Sequence, residues 1–226
     1  MSDDPHKLHE SVEPQLEALT LDPGRPLIIS DADEVLLQFV AGLERYIETK
    51  GFWLDLKSFA LTGNIRDREK NQPLEPKQVG ELIASFFADA SHHLEPVDRA
   101  AEHLANLAPR AQIVVLSNLP VHLRDSRAAL LERHGMPYPV IANTGLKGAA
   151  IRHMAQRIDP PVFFLDDLPH NIASAARAHE PVHRLHFIAD QRLAALLEPA
   201  PDSHFFGSDW VKAHDYIDRV LSEAGF

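Results

Sequence analysis

From Leu27 onward, short apolar runs alternate with segments of helical period. The runs at 27–31, 113–117, 139–142 and 162–166 are rich in Ile, Val, Leu or Phe and give way at once to polar residues. Short unbroken runs between turn signals read as strands buried on both faces, as in a parallel sheet. A weaker fifth run spans 182–188. Between them lie helical patterns. Val35, Phe39, Leu43 and Ile47 fall at four-residue intervals within 35–50, marking one face of a helix. A helix over 123–134 ends at Gly135, a fitting C-terminal stop. The segments 148–158 and 171–179 read the same way. Strand–helix alternation predicts the α/β class, a doubly wound parallel sheet with its chemistry at the C-terminal strand ends.

One interval breaks the rhythm. About 80 residues separate the first strand from the next, far more than a single crossover helix needs. Helical patterns at 78–90 and 97–107 and a polar, turn-rich stretch at 61–76 fill it. We expect residues 39–95 to form a small, mostly helical cap over the strand ends, with 26–38 and 96–226 as the core. The alternative is a set of packing helices with no role at the site. Residues 1–25 are acidic and carry prolines at 5, 14 and 23, which predicts a loosely held arm with a helical turn near Leu16.

Polar residues at four run ends are candidate chemistry. Asp31-Ala32-Asp33 follows the first strand, and alternation would turn both carboxylates to one side. One such group can attack while its neighbour moves a proton, although Asp-x-Asp is also an ordinary loop or N-cap. Ser117-Asn118 ends the second run, where a hydroxyl and backbone N–H groups can hold phosphate oxygens or simply begin a turn before Pro120. Lys147 sits on a glycine-flanked turn at a helix start, where a cation is poorly placed unless an anion accompanies it. Asp166-Asp167 ends the most apolar run. Like charges about 4 Å apart repel by roughly 4 kcal/mol at an effective dielectric of 20. Oxygen ligands without His or Cys nearby suit Mg²⁺ better than zinc.

Composition narrows the field. The chain of 226 residues contains no cysteine, so disulfides and thiol chemistry are excluded. A net charge of −11 disfavours a nucleic-acid-binding surface. No apolar run is long enough to span a bilayer, and the first residues lack a basic and apolar leader, so neither a membrane partner nor secretion is expected and the expected location is cytoplasmic. Oligomeric state is not readable from the chain. Arg66, Arg68 and Lys70 read as a solvated basic loop, and Phe52 and Trp53 as packing residues. His179, His183 and His186 read as surface and packing residues, while Trp210, Phe205 and Phe206 are expected to close the core.

Taken in order, Asp31/Asp33, Ser117, Lys147 and Asp166/Asp167 resemble the motifs of the haloacid dehalogenase (HAD) superfamily of phosphohydrolases, over about residues 26–190. Asn171 fits the Asp-Asp-x-x-x-Asn form of many members. The resemblance implies a HAD-like Rossmannoid core and a Mg²⁺-dependent phosphatase acting on a small phosphate monoester. Asp31 would form an aspartyl-phosphate, and Asp33 would act as general acid and base. Ser117, Asn118 and Lys147 would bind phosphate. Asp31, Asp166 and the Asp33 carbonyl would hold Mg²⁺, supported by Asp167 and Asn171. The insertion resembles the C1 type of cap. Its length, Phe86-Phe87, and Trp210 before a final helix resemble the 5'(3')-deoxyribonucleotidase branch, making a nucleotide monophosphate one candidate substrate. Two features depart from family patterns. Glu34 stands where many members have Gly, and Asp33 differs from the Asp-x-Tyr of the dehalogenases. A non-catalytic phosphate-binding or regulatory protein, or phosphomutase-type transfer, remains the alternative.

Overall fold

The computed structural model describes residues 7–226. In chain order the elements are α1 (Glu13–Ala18), β1 (Leu27–Ser30), α2 (Phe39–Glu48), β2 (Phe52–Leu54), β3 (Ile65–Asp67), α3 (Pro76–Asp89), α4 (Ala100–Leu107) and β4 (Gln112–Asn118). There follow α5 (Arg124–Arg133), β5 (Val140–Asn143), α6 (Gly148–Ala155), β6 (Val162–Asp166), α7 (Pro169–Ala178), β7 (His183–Phe187), α8 (Gln191–Ala194), β8 (Phe205–Gly207) and α9 (Trp210–Glu223).

Six strands form one parallel sheet in the order β5-β4-β1-β6-β7-β8. The chain moves from β1 outward through β4 to β5, then returns to the other side of β1 for β6. This reversal beside β1 is the topological switch point at which α/β sheets bind ligands. Alternation along each strand divides the core. Ile28, Ile113, Val115, Phe163, Leu165 and Phe187 face α4, α5 and α9, where Leu104, Leu131 and Ile217 meet them. Leu27, Ile29, Val114, Leu116, Phe164 and Val162 face α1, α6 and α7, where Leu16, Ile151 and Ile172 meet them. The predicted doubly wound α/β sheet is therefore the observed one.

The N-terminal expectation is corrected within the described residues. Val12 and Leu16 are wholly buried in the second core layer rather than held loosely. Gln15 donates to the Ala142 carbonyl at 3.0 Å and accepts from the Ala142 N–H at 2.9 Å, so its side chain stands in for a missing neighbour on edge strand β5. Residues 1–6 of the expected arm lie outside the described residues.

The segment between β1 and α4 leaves and returns along paired linkers. Gln38 N–H donates to Glu95 O at 2.9 Å, and Val97 N–H donates to Leu36 O at 2.8 Å. Within it, α2 and α3 are stapled by Phe39, Tyr46, Phe86 and Phe87, whose ring centroids lie 5.4–5.9 Å apart in successive pairs. The turn-rich stretch at 61–76 also contains β3, which pairs antiparallel with β2 just before it, with Trp53 opposite Arg66. Arg66 pairs with Asp55 at 2.9 Å and Arg68 with Glu48 at 3.2 Å. The expected helix at 35–50 begins only at Phe39, because residues 34–37 make a tight turn closed by Glu34 N–H to Leu37 O at 2.8 Å. Among the described residues no helix is long and apolar enough to cross a membrane.

Candidate active site

The C-terminal ends of β1 and β6 lie side by side, with Ser30 opposite Leu165. Asp31 and Asp166 therefore emerge as neighbours. Lys147, preceding α6, extends its ammonium between them and lies 2.7 Å from Asp31 Oδ2 and 2.7 Å from Asp166 Oδ2. Lys147 and Asp166 are wholly buried. Burial opposes the lysine's charge, but Asp166 and Asp31 outweigh it and hold its pKa above the ordinary value. The placement needs Gly148. Its N–H donates to Ser174 Oγ at 3.1 Å, and a Cβ there would lie 2.5 Å from the Ser174 carbonyl oxygen, so only glycine lets α6 approach α7 this closely.

Carboxylate oxygens of Asp31, Asp166 and Asp167 lie within 4.8 Å of one another, all buried. One lysine cannot neutralise three carboxylates. Asp31 is pushed up chiefly by burial; Asp167 is pushed well up by burial and then by Asp166 and Asp31. Such a set of hard oxygen donors fits a divalent cation, which would relieve both effects. Supporting bonds aim the donors. Asp166 Oδ1 accepts from Asn171 Nδ2 at 3.0 Å and from Leu168 N–H at 2.9 Å, and Asp31 Oδ1 accepts from Ala32 N–H at 2.6 Å.

Asp33 follows two residues after Asp31, and its side chain stays partly exposed. Burial raises its pKa, opposed by Arg127, whose Nη1 donates to Asp33 Oδ1. Ser117 Oγ is buried at the end of β4 and has no hydrogen-bond partner among the described residues. The Asn118 side chain, in contrast, is committed to the fold: it donates to Gly145 O at 3.1 Å and accepts from Asn143 Nδ2 at 2.7 Å.

Two contributors escaped the sequence reading. Arg127 lies on α5 one turn before Leu130 and Leu131, and all three are buried. An arginine on the apolar face of a helix was the available signal. His186 donates from Nε2 to the Asp167 carbonyl at 3.0 Å, while its Nδ1 accepts from Ala200 N–H at 3.1 Å, which fixes the neutral tautomer. Its register opposite Asp166 is visible only once β6 and β7 are paired. Glu34 turns inward. Its carboxylate accepts from Val40 N–H at 2.7 Å and Asp190 N–H at 2.9 Å, and burial pushes its pKa up to about 7. A cleft of about 590 Å³ adjoins the site through Glu34, but Asp31, Asp33, Lys147 and Asp166 do not line it.

No protein-family model matches the chain, and no curated protein sequence does. Solved structures do. A haloacid dehalogenase-like hydrolase from Streptococcus pneumoniae superposes with a TM-score of 0.56 at 11% identity, covering 85% of this chain and 98% of that one. A defluorinating L-2-haloacid dehalogenase gives a TM-score of 0.57 at 14% identity over 86% and 95% of the two chains. YfnB from Bacillus subtilis, in a magnesium-bound form, gives 0.55 at 12% identity over 87% and 100%. At such identities the likeness is one of architecture alone. The chain has the fold of the haloacid dehalogenase-like hydrolases.

Proposed function

We propose that this protein is a HAD-superfamily phosphatase that hydrolyses a small phosphate monoester through an aspartyl-phosphate on Asp31, with Mg²⁺ as cofactor. The observation that carries the reading is the shared lysine: Lys147 bridges Asp31 and Asp166, with a second carboxyl, Asp33, two residues beyond the nucleophile. Ser117 Oγ and Lys147 Nζ, with the Asn118 main chain, hold the phosphoryl oxygens. An Asp31 carboxylate oxygen attacks phosphorus as the ester P–O bond breaks, and Asp33 gives its proton to the leaving oxygen. Asp33, now ionised, takes a proton from the water that attacks the acyl-phosphate, which releases phosphate and restores Asp31. The upward push of burial on Asp33 favours the protonated form that the first step requires.

Asp31, Asp166 and the Asp33 carbonyl would hold Mg²⁺, with Asp167 and Asn171 behind them. When bound, the ion supplies charge neutralisation for the phosphoryl oxygens. Residues 39–95 act as a cap that selects substrate over the strand ends, and a nucleotide monophosphate is one candidate. A carboxyl rather than a tyrosine at position 33 supports phosphate chemistry over dehalogenation, since a leaving alkoxide needs a proton and a halide does not.

The test is phosphate release from p-nitrophenyl phosphate and a panel of nucleotides, sugar phosphates and phosphoglycolate, run beside halide release from 2-chloropropionate. The expected result is Mg²⁺-dependent phosphate release, abolished by Asp31→Asn and by EDTA. Halide release without phosphatase activity would overturn the reading.

A further inference from the structure

The geometry points to Arg127 as an additional phosphate-binding residue, gripping Asp33 with one arm of its guanidinium and the transferring phosphoryl group with the other. This inference rests on the phosphatase reading above.

Arg127 is 3% exposed, yet its charge is only partly satisfied. Nη1 donates to Asp33 Oδ1, whereas Nη2 is buried and has no hydrogen-bond partner among the described residues. A buried, charged donor left unpaired is strongly unfavourable, so native structures rarely keep one without a water or a ligand to fill it. The second orphan donor nearby in the chain is Ser117 Oγ, at the end of the strand that leads into α5. Both belong to the β4–α5 crossover, and Arg127 is anchored to the residue two beyond Asp31. A planar fork with one arm fixed and one free suits a tetrahedral oxyanion, which accepts at several oxygens at once.

Charge supports the same assignment. Asp31, Asp166 and Asp167 oppose Lys147 and Arg127, so carboxylates outnumber cations even with Asp33 protonated and before a phosphate dianion arrives. A divalent cation offsets that excess, and without Arg127 the substrate's own charge would face a further uncompensated carboxylate. Arg127 thus lowers the repulsion at the leaving-group side, where Asp33 must approach the ester oxygen.

Inorganic phosphate is the probe, because its binding needs no turnover. Its affinity is measured by titration calorimetry in Mg²⁺ for the native chain, Arg127→Gln, Arg127→Lys, Asp33→Asn and the Asp33→Asn/Arg127→Gln pair, each checked for folding by thermal melt. If Arg127 touches phosphate, Arg127→Gln weakens binding about 10- to 100-fold, and does so in the Asp33→Asn background as well. Arg127→Lys, which keeps the charge, recovers part of the loss in KM for p-nitrophenyl phosphate. Equal phosphate affinity in Asp33→Asn with and without Arg127→Gln would show that the arginine acts only through Asp33, overturning the inference while leaving the phosphatase reading intact. A folded native protein that neither binds phosphate nor hydrolyses any ester would overturn both.

Discussion

Lys147 Nζ stands 2.7 Å from a carboxylate oxygen of both Asp31 and Asp166, so one buried ammonium ties the end of β1 to the end of β6 from the start of α6. Removing one member of a buried ion cluster leaves the others uncompensated, typically at a cost of about 3–5 kcal/mol. Lys147→Met is therefore expected to lose about that much stability by urea unfolding at pH 7.5 in EDTA, and to lose activity outright. Added Mg²⁺ should recover part of the stability and none of the turnover.

Asp167 carries the opposite sign. Its carboxyl is pushed well up by burial and by its neighbours, so in the absence of a cation its charge destabilises the fold at neutral pH. In EDTA, Asp167→Asn should melt higher than the native chain. With Mg²⁺ at a hundred times its dissociation constant the native chain gains about 2.7 kcal/mol, roughly 5–10 °C in melting temperature for a chain of this size, and Asp167→Asn should gain less. Equal Mg²⁺ responses in the two proteins would remove Asp167 from the metal site.

The sheet and the carboxylate cluster were legible because both follow local rules. Runs such as 162–166 are apolar on both faces, and in a parallel sheet the residues that end them must converge at one edge. The residues that stayed hidden depend on long-range pairing. Arg127 reaches Asp33 across 94 positions, and His186 meets the Asp167 carbonyl only through the register of β6 with β7. β8 is three half-buried residues added to the sheet edge, too short for a period to show. The packing of α1 escaped notice because Gln15, a polar residue, makes the contact that fixes it to β5.

Gly148 is tested through its neighbour. A methyl group there would meet the Ser174 carbonyl oxygen and hydroxyl, both at 2.5 Å, and the N–H to Ser174 Oγ bond would lengthen as α6 moved off α7. Overpacking of this kind costs about 1–3 kcal/mol. Because Lys147 directly precedes the displaced residue, Gly148→Ala should lower kcat by more than its stability loss alone would suggest, as read at a temperature where the variant remains folded.

His103 on α4 is buried, and among the described residues neither ring nitrogen has a hydrogen-bond partner; the His214 ring centroid on α9 lies 4.9 Å away. Burial and then the His214 and Arg99 charges push its pKa down, while Glu102 and Asp209 push weakly the other way. The unfolded state therefore binds a proton more readily than the folded one. The stability from neutral His103 is fully present above the unfolded pKa of about 6.5 and is lost as pH falls towards the lower folded value. The urea midpoint should drop between pH 7.5 and 5.5, and His103→Leu should flatten that slope.

Glu34 sits in the left-handed region with φ +58°, where glycine would be at ease, and its carboxyl accepts the N–H groups of Val40 and Asp190. Glu34→Gly would relieve about 1–2 kcal/mol of backbone strain but orphan two buried donors at about 1–3 kcal/mol each. The net expectation is a loss of about 0–5 kcal/mol, centred on roughly 2–3. Its pH dependence is distinctive. With a folded pKa of about 7 against a reference of 4.5, the folded state holds the proton more tightly. Glu34's contribution is thus full below pH 4.5 and declines as pH rises through 7. The gap between native and Glu34→Gly urea midpoints should be widest near pH 5 and narrow by pH 8, opposite in sign to the His103 effect. A gap that widened with pH would show that Glu34 is held ionised by its two N–H donors.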